Sequence, residues 1–78
     1  VIRPGGLTNG PGGNMDLVFE QGDTVRAQTT ITRADLARIA VQALKYPEAR
    51  NRTFETSAQP GAPVTDWRAQ FAALRPDP

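Results

Sequence analysis

The chain is 78 residues long, room for one small domain, with nine basic and eight acidic residues, a net charge of +1, no Cys and no His. A chain of that size buries only roughly 60–65% of its unfolded surface, and this composition denies it the disulfides, thiolates and nearly all zinc sites that support many small folds. The arginines are scattered among acidic residues, which argues against nucleic acid as a partner, and no apolar run approaches the ~20 residues of a membrane span.

Val1, Ile2 and Arg3 read as the end of a buried strand, stopped by Pro4, Gly5 and Gly6. A parallel strand needs neighbours delivered by crossover connections, and none precedes this one. The chain therefore reads as the C-terminal piece of a larger α/β domain. Residues 4–14 hold five of the seven glycines and two of the seven prolines, which predicts a loop whose backbone can lie close to something. It is either a flexible surface loop or one that lines a ligand. Met15–Glu20 suits a short strand or a helical turn, Gln21-Gly22-Asp23 a turn, and Thr24–Thr30 a short strand or hairpin.

The clearest element is a helix from Thr32 to Lys45, opened by a capping-box-like Thr32 and Asp35 and stopped by Pro47. Asp35, Arg38, Gln42 and Lys45 fall on one polar stripe. Leu36, Ala37, Ile39, Ala40, Val41, Ala43 and Leu44 cover most of the rest, an apolar arc wide enough to be buried against more than one neighbour. Thr53–Ser57 alternates as a short strand, and 58–63 is a Pro/Gly loop. Thr65 is the expected N-cap of a last helix reaching Leu74, with Trp67, Phe71 and Leu74 on its apolar face and Pro76 and Pro78 ending it. The order is strand, Gly-rich loop, weak β segment, helix, strand, helix.

Catalytic candidates are few. Without His or Cys the commonest general base and the soft nucleophile are both missing. Thr29, Thr30 and Thr32 precede a helix, where capping accounts for them, and Asp16, Glu20, Asp23 and Asp35 have no spacing that marks a carboxylate pair. Tyr46 is followed at the fourth position by Arg50, not Lys, with Pro47 between them, and reads as a packing residue. Gly10-Pro11-Gly12 starts a dinucleotide fingerprint, but Met15 stands at its third glycine and no helix follows. No catalytic residue and no metal ligand is assigned, and any pyrophosphate site of a parent domain lies elsewhere.

Three segments, Ile2-Arg3-Pro4-Gly5-Gly6-Leu7, Ile31-Thr32-Arg33-Ala34-Asp35-Leu36-Ala37 and Arg52-Thr53-Phe54-Glu55, resemble in order and spacing the C-terminal part of atypical short-chain dehydrogenase/reductase proteins, the NmrA-like NAD(P)-binding group. The resemblance covers nearly the whole chain. It implies an α/β fold, the C-terminal portion of a Rossmann-like, mostly parallel sheet with flanking helices on both faces. Residues 1–78 would then be the C-terminal segment of a single NAD(P)-binding domain. It further implies a dinucleotide lying across the carboxyl ends of the strands, bound mainly by the N-terminal part, with Pro4, Gly5, Gly6 and Leu7 bordering its nicotinamide half. A Pro-Gly-Gly turn leaves no side chain to block a flat ring; the alternative is that it merely changes chain direction. Arg33 and Asp35 resemble the group's markers for a helix start, in capping and pairing roles.

The chain departs from the group's pattern in lacking the glycine fingerprint and any Tyr-x-x-x-Lys pair. Two readings follow: part of a reductase that transfers hydride from NAD(P)H, or a non-catalytic scaffold or assembly subunit in a larger complex. A third is an independent small α+β domain. Expected partners are the dinucleotide and either other protein chains or the N-terminal part of the domain. Expected compartments are the cytoplasm or the chloroplast stroma.

Overall fold

Strand β5 (Phe54–Gln59) is the hub of the fold in the computed structural model, which describes residues 1–22 and 29–78. It is flanked by β1 (Ile2–Pro4) on one side and β3 (Asp16–Glu20) on the other. β1 runs parallel to it, with Ile2 beside Phe54 and Pro4 beside Thr56. β3 runs antiparallel, with Leu17 beside Ala58 and Phe19 beside Thr56. A second, two-stranded sheet joins β2 (Gly6–Thr8) in parallel to β4 (Thr30–Thr32), with Leu7 beside Ile31. The unit is thus α/β with parallel pairs joined by crossovers, but the main sheet is mixed, because β3 reaches β5 by a direct antiparallel pairing.

The register places Ile2, Leu17, Phe19, Phe54, Thr56 and Ala58 on one face of the main sheet. That face carries the core. Phe54, Phe71, Ile31 and Ile39 are essentially inaccessible, joined by Leu17, Trp67 and Leu74. Phe71 is the hinge of an aromatic cluster, with its ring 6.0–6.4 Å from those of Phe19, Phe54, Tyr46 and Trp67. Both α1 (Arg33–Lys45) and α2 (Trp67–Ala72) contribute to this one cluster; a helical layer on the opposite face is not among the described residues. No helix among them is long and apolar enough to cross a membrane.

Several expectations hold and several are corrected. Met15–Glu20 resolves to a strand, β3, not a helical turn. The first strand stops at Pro4 as expected, but the expected loop at 4–14 contains β2, because the chain resumes extended backbone at Gly6 with a new partner. Of the Thr24–Thr30 segment, Thr30 opens β4, while Thr24 to Gln28, with Asp23 of the expected turn, lie outside the described residues. α1 begins as expected: Thr32 Oγ1 accepts from the Asp35 amide at 3.0 Å. Its apolar arc is buried only in part: Ile39 is inaccessible, and Leu36 and Ala43 pack against the core. Asp35 is fully buried, whereas Ala37, Ala40, Val41 and Leu44 face outward, Leu44 at 90% exposure. Asp35 goes inward on the same side as Ile39 and there accepts from the Gly13 amide across the fold. In α2 the N-cap is Asp66, not Thr65, accepting from the Ala69 amide at 3.0 Å. Tyr46 caps the end of α1 and packs on Phe71, as a packing residue should.

Candidate functional site

At Gly5 the backbone changes sheets within one residue. The Gly5 amide donates to Thr56 O of β5 at 2.9 Å, and the next amide, of Gly6, donates to Thr29 O, just ahead of β4, also at 2.9 Å. The approach is so close that a Cβ on Gly5 would stand 2.7 Å from Thr29 O and 3.0 Å from Thr29 Oγ1. Only glycine fits without movement of backbone, which is the physical reason for the residue here.

Beside this switch lies a cleft of about 190 Å³. Val18 and Glu20 of β3, Ser57, Ala58 and Gln59 of β5, and Thr29 line it. Ser57 to Gln59 are the carboxyl end of β5, and β1 runs in the same direction beside it and ends at Pro4. The cleft runs along the antiparallel pairing of β3 with β5 and reaches the carboxyl end of β5, and the carboxyl ends of strands are where open α/β sheets hold their ligands. Its walls offer the hydroxyls of Thr29 and Ser57, the Gln59 amide and the Glu20 carboxylate around the apolar Val18 and Ala58. Gln59 Nε2 is steadied by donation to Asp16 Oδ2 at 2.8 Å, and Thr56 Oγ1 ties β5 to β3 through Val18 O at 2.8 Å. The same face carries the in-register row Arg3, Glu55, Glu20. Glu55 is buried at 6% exposure, and its Oε1 has no hydrogen-bond partner among the described residues.

The residues singled out in the sequence adjoin this cleft without lining it. Pro4 closes β1, Gly5 is the switch, and Gly6 and Leu7 belong to β2; Gly5 and Gly6 meet the cleft through Thr29. Thr29, expected among the capping hydroxyls, is a wall residue instead, and the cap is Thr32 alone. Glu20, Ser57 and Gln59 carried no motif. The one signal for the last two was their alternation with Phe54, Thr56 and Ala58, which sets them on the face opposite the core.

The glycine-rich segment after β2 has a different role. Asp35 Oδ1 accepts from the Gly13 amide at 2.9 Å and from Arg38 Nη1 at 3.1 Å. Arg33 Nη1 donates to Asn9 Oδ1 at 2.7 Å. A Cβ on Gly12 would lie 2.9 Å from Asp35 Oδ1. The first turn of α1 thus already has its anion, the chain's own carboxylate, which favours the positive end of the helix dipole. Gly10-Pro11-Gly12 serves that contact and leaves no phosphate cradle there. Arg38, held at one end by Asp35, sets its guanidinium 5.7 Å from the Trp67 ring centroid. Among the described residues no three acidic side chains converge as a metal site would require.

No family model matches the chain. It is 37% identical, over 79 aligned positions, to an uncharacterised chloroplastic protein of Arabidopsis thaliana, a match covering 95% of this chain and 24% of that protein. It is 35% identical to sanguinarine reductase of Eschscholzia californica over 79 positions, 95% of this chain and 29% of the reductase. Over 55 positions, 70% of the chain, it is 46% identical to 9% of the chloroplastic protein High Chlorophyll Fluorescence Phenotype 173 of Arabidopsis thaliana. The chain spans about a quarter of the length of the first two relatives, 24% and 29%. Its relatives thus include a reductase alongside chloroplast proteins.

Proposed function

We propose that residues 1–78 form the C-terminal segment of a Rossmann-like, NAD(P)-binding protein of the atypical short-chain dehydrogenase/reductase group, with Pro4, Gly5, Gly6 and Leu7 bordering the nicotinamide end of the cofactor. What carries this proposal is the cleft along β3 and the carboxyl end of β5, walled by Thr29 directly behind the Gly5–Gly6 switch. The similarity to a protein named as a reductase supports a reductase-like parent.

The fit to a dinucleotide is partial, in a way that agrees with a segment of a larger domain. At about 190 Å³, the cleft is smaller than the ~300–1,000 Å³ pockets that enclose whole ligands, so it takes one end of such a molecule. The helix dipole of α1 is already occupied by Asp35, so the pyrophosphate must be held by other parts of the protein. When bound, the cofactor supplies the hydride chemistry. This chain's share is to present a side-chain-free backbone at Gly5 and Gly6 and hydrogen-bonding groups at Thr29, Ser57 and Gln59. Completion of the domain would also give β1 a second neighbour and cover the apolar stripe of Ala37, Ala40, Val41 and Leu44 on α1.

That stripe also favours a second reading, a non-catalytic scaffold that docks other chains through α1. The chloroplastic relatives favour the chloroplast over the cytoplasm. The deciding experiment is titration of the full natural polypeptide containing this sequence with NADPH and with NADH, followed by nucleotide fluorescence. Saturable binding of either, weakened by Ser57→Leu in the cleft, is the expected result. Absence of binding at millimolar nucleotide would refute the cofactor assignment and leave the scaffold.

A further inference from the structure

The geometry points to Asp35 as a positioning residue: its buried carboxylate clamps the 9–14 loop onto α1 and so fixes the two walls of the cleft relative to each other, without touching the cleft itself. The path of the chain makes the connection. From the Gly5–Gly6 switch the backbone runs through β2, whose last residue, Thr8, pairs with the α1 cap Thr32. It then passes Asn9, held by Arg33, and Gly13, held by Asp35, and enters β3 at Asp16. Two residues of β3, Val18 and Glu20, form one wall of the cleft, and Thr29, bonded to Gly6, forms another. The loop is the covalent link between the switch and the β3 wall, and its glycines give it little stiffness of its own. Its course is set from outside, by two side chains of the first turn of α1.

Of the two contacts, the one to Asp35 dominates. Asp35 is 0% exposed, and its Oδ1 holds both the Gly13 amide and Arg38, whereas the Arg33–Asn9 contact is on the surface. Gly12 lies so close to the first turn of α1 that a Cβ there would stand 2.9 Å from Asp35 Oδ1 and 3.1 Å from the Ala34 Cβ. A hydrogen bond to a buried charge is stronger than one between neutral groups, so loss of Asp35 should release the loop while the Thr32 cap still holds the helix.

The test uses the full natural polypeptide and two readouts, amide hydrogen exchange at Gly13 and Gly6 and the dissociation constant for NADPH or NADH; the second rests on the cofactor reading above. Asp35→Ala should speed Gly13 exchange about tenfold or more, speed Gly6 exchange in the same direction, and raise the dissociation constant about tenfold. Asp35→Asn keeps an acceptor for the Gly13 amide but gives up the charge, and should fall between the parent and Asp35→Ala in exchange and binding. Unchanged Gly13 exchange in Asp35→Ala would overturn the clamp. Faster Gly13 exchange with Gly6 exchange and binding both unchanged would overturn its link to the cleft. If the parent binds no dinucleotide, the cofactor reading fails, and the Gly6 amide alone then decides for or against the clamp. Should Asp35→Ala fail to fold, Gly12→Ala takes its place, because its Cβ would stand 2.9 Å from Asp35 Oδ1 and push the loop off the carboxylate: faster exchange at Gly13 and Gly6 supports the clamp, and unchanged exchange at both refutes it.

Discussion

Two adjacent glycines offer a test with its own control. An alanine at position 5 places Cβ 2.7 Å from Thr29 O, inside any van der Waals limit, and that same oxygen accepts the Gly6 amide. An alanine at position 6 meets Thr29 O and the Thr30 methyl at 3.6 Å, an ordinary contact. Neither glycine has positive φ, so backbone strain does not separate the two and the steric term stands alone. Overpacking against backbone costs about 1–3 kcal/mol, and the stretched Gly6–Thr29 hydrogen bond adds about 1 kcal/mol. The lower entropy of an unfolded chain with Ala in place of Gly returns about 0.4–1 kcal/mol. Gly5→Ala should therefore destabilise by about 1–3 kcal/mol, and Gly6→Ala should fall between neutral and a gain of about 1 kcal/mol. Urea unfolding, compared by midpoint at constant slope, measures both. Equal midpoints for the two variants would refute the claim that close approach to Thr29 dictates glycine at position 5. NADPH titration of Gly6→Ala then adds a functional reading, because weaker binding at undiminished stability would identify position 6 as a direct neighbour of the ligand.

Other perturbations probe the frame around the site. Phe71→Ala removes the ring shared by the aromatic cluster from a fully buried position and should cost about 3–5 kcal/mol in thermal or urea unfolding. Thr32→Ala removes the α1 cap and should cost about 1 kcal/mol. Leu44→Glu separates the domain readings. At a position 90% exposed in this unit it should change the stability of the isolated chain by no more than about 0.5 kcal/mol. In the full polypeptide it should destabilise clearly if the rest of the protein covers α1; equal tolerance in both would refute that cover.

What could be read from the sequence was local. The start of α1 was legible because its cap and its proline stop are encoded within a few residues of the helix, and β5 because alternation is a short-range pattern. The burial of Asp35 was not, since its partner there is the Gly13 amide, 22 residues away. A carboxylate on a polar stripe ordinarily faces water, and nothing in the helix itself says otherwise. β2 was hidden because Gly6 and Thr8 flank a single Leu in a glycine-rich run, so its strand comes from pairing with Ile31 and not from propensity. Pro4 to Gly6 were readable as a change of direction in the chain. The cleft beside them was not, because Glu20, Thr29 and Ser57 come from three segments that only the tertiary fold assembles.

The partner switch at Gly5 also dictates where this fold can absorb a change in length. Consecutive amides, Gly5 and Gly6, are spoken for by two different sheets, so the junction has no slack. One residue inserted between them would either pull Gly6 off Thr29 or turn every side chain of β2 to the opposite side. An insertion past the clamp, at Asn14, an exposed residue just ahead of β3, meets no such constraint. Relatives that keep this architecture should therefore hold the first eight residues to a fixed length and collect their insertions and deletions between Gly13 and Asp16, with the glycine that meets Asp35 retained in register with the helix.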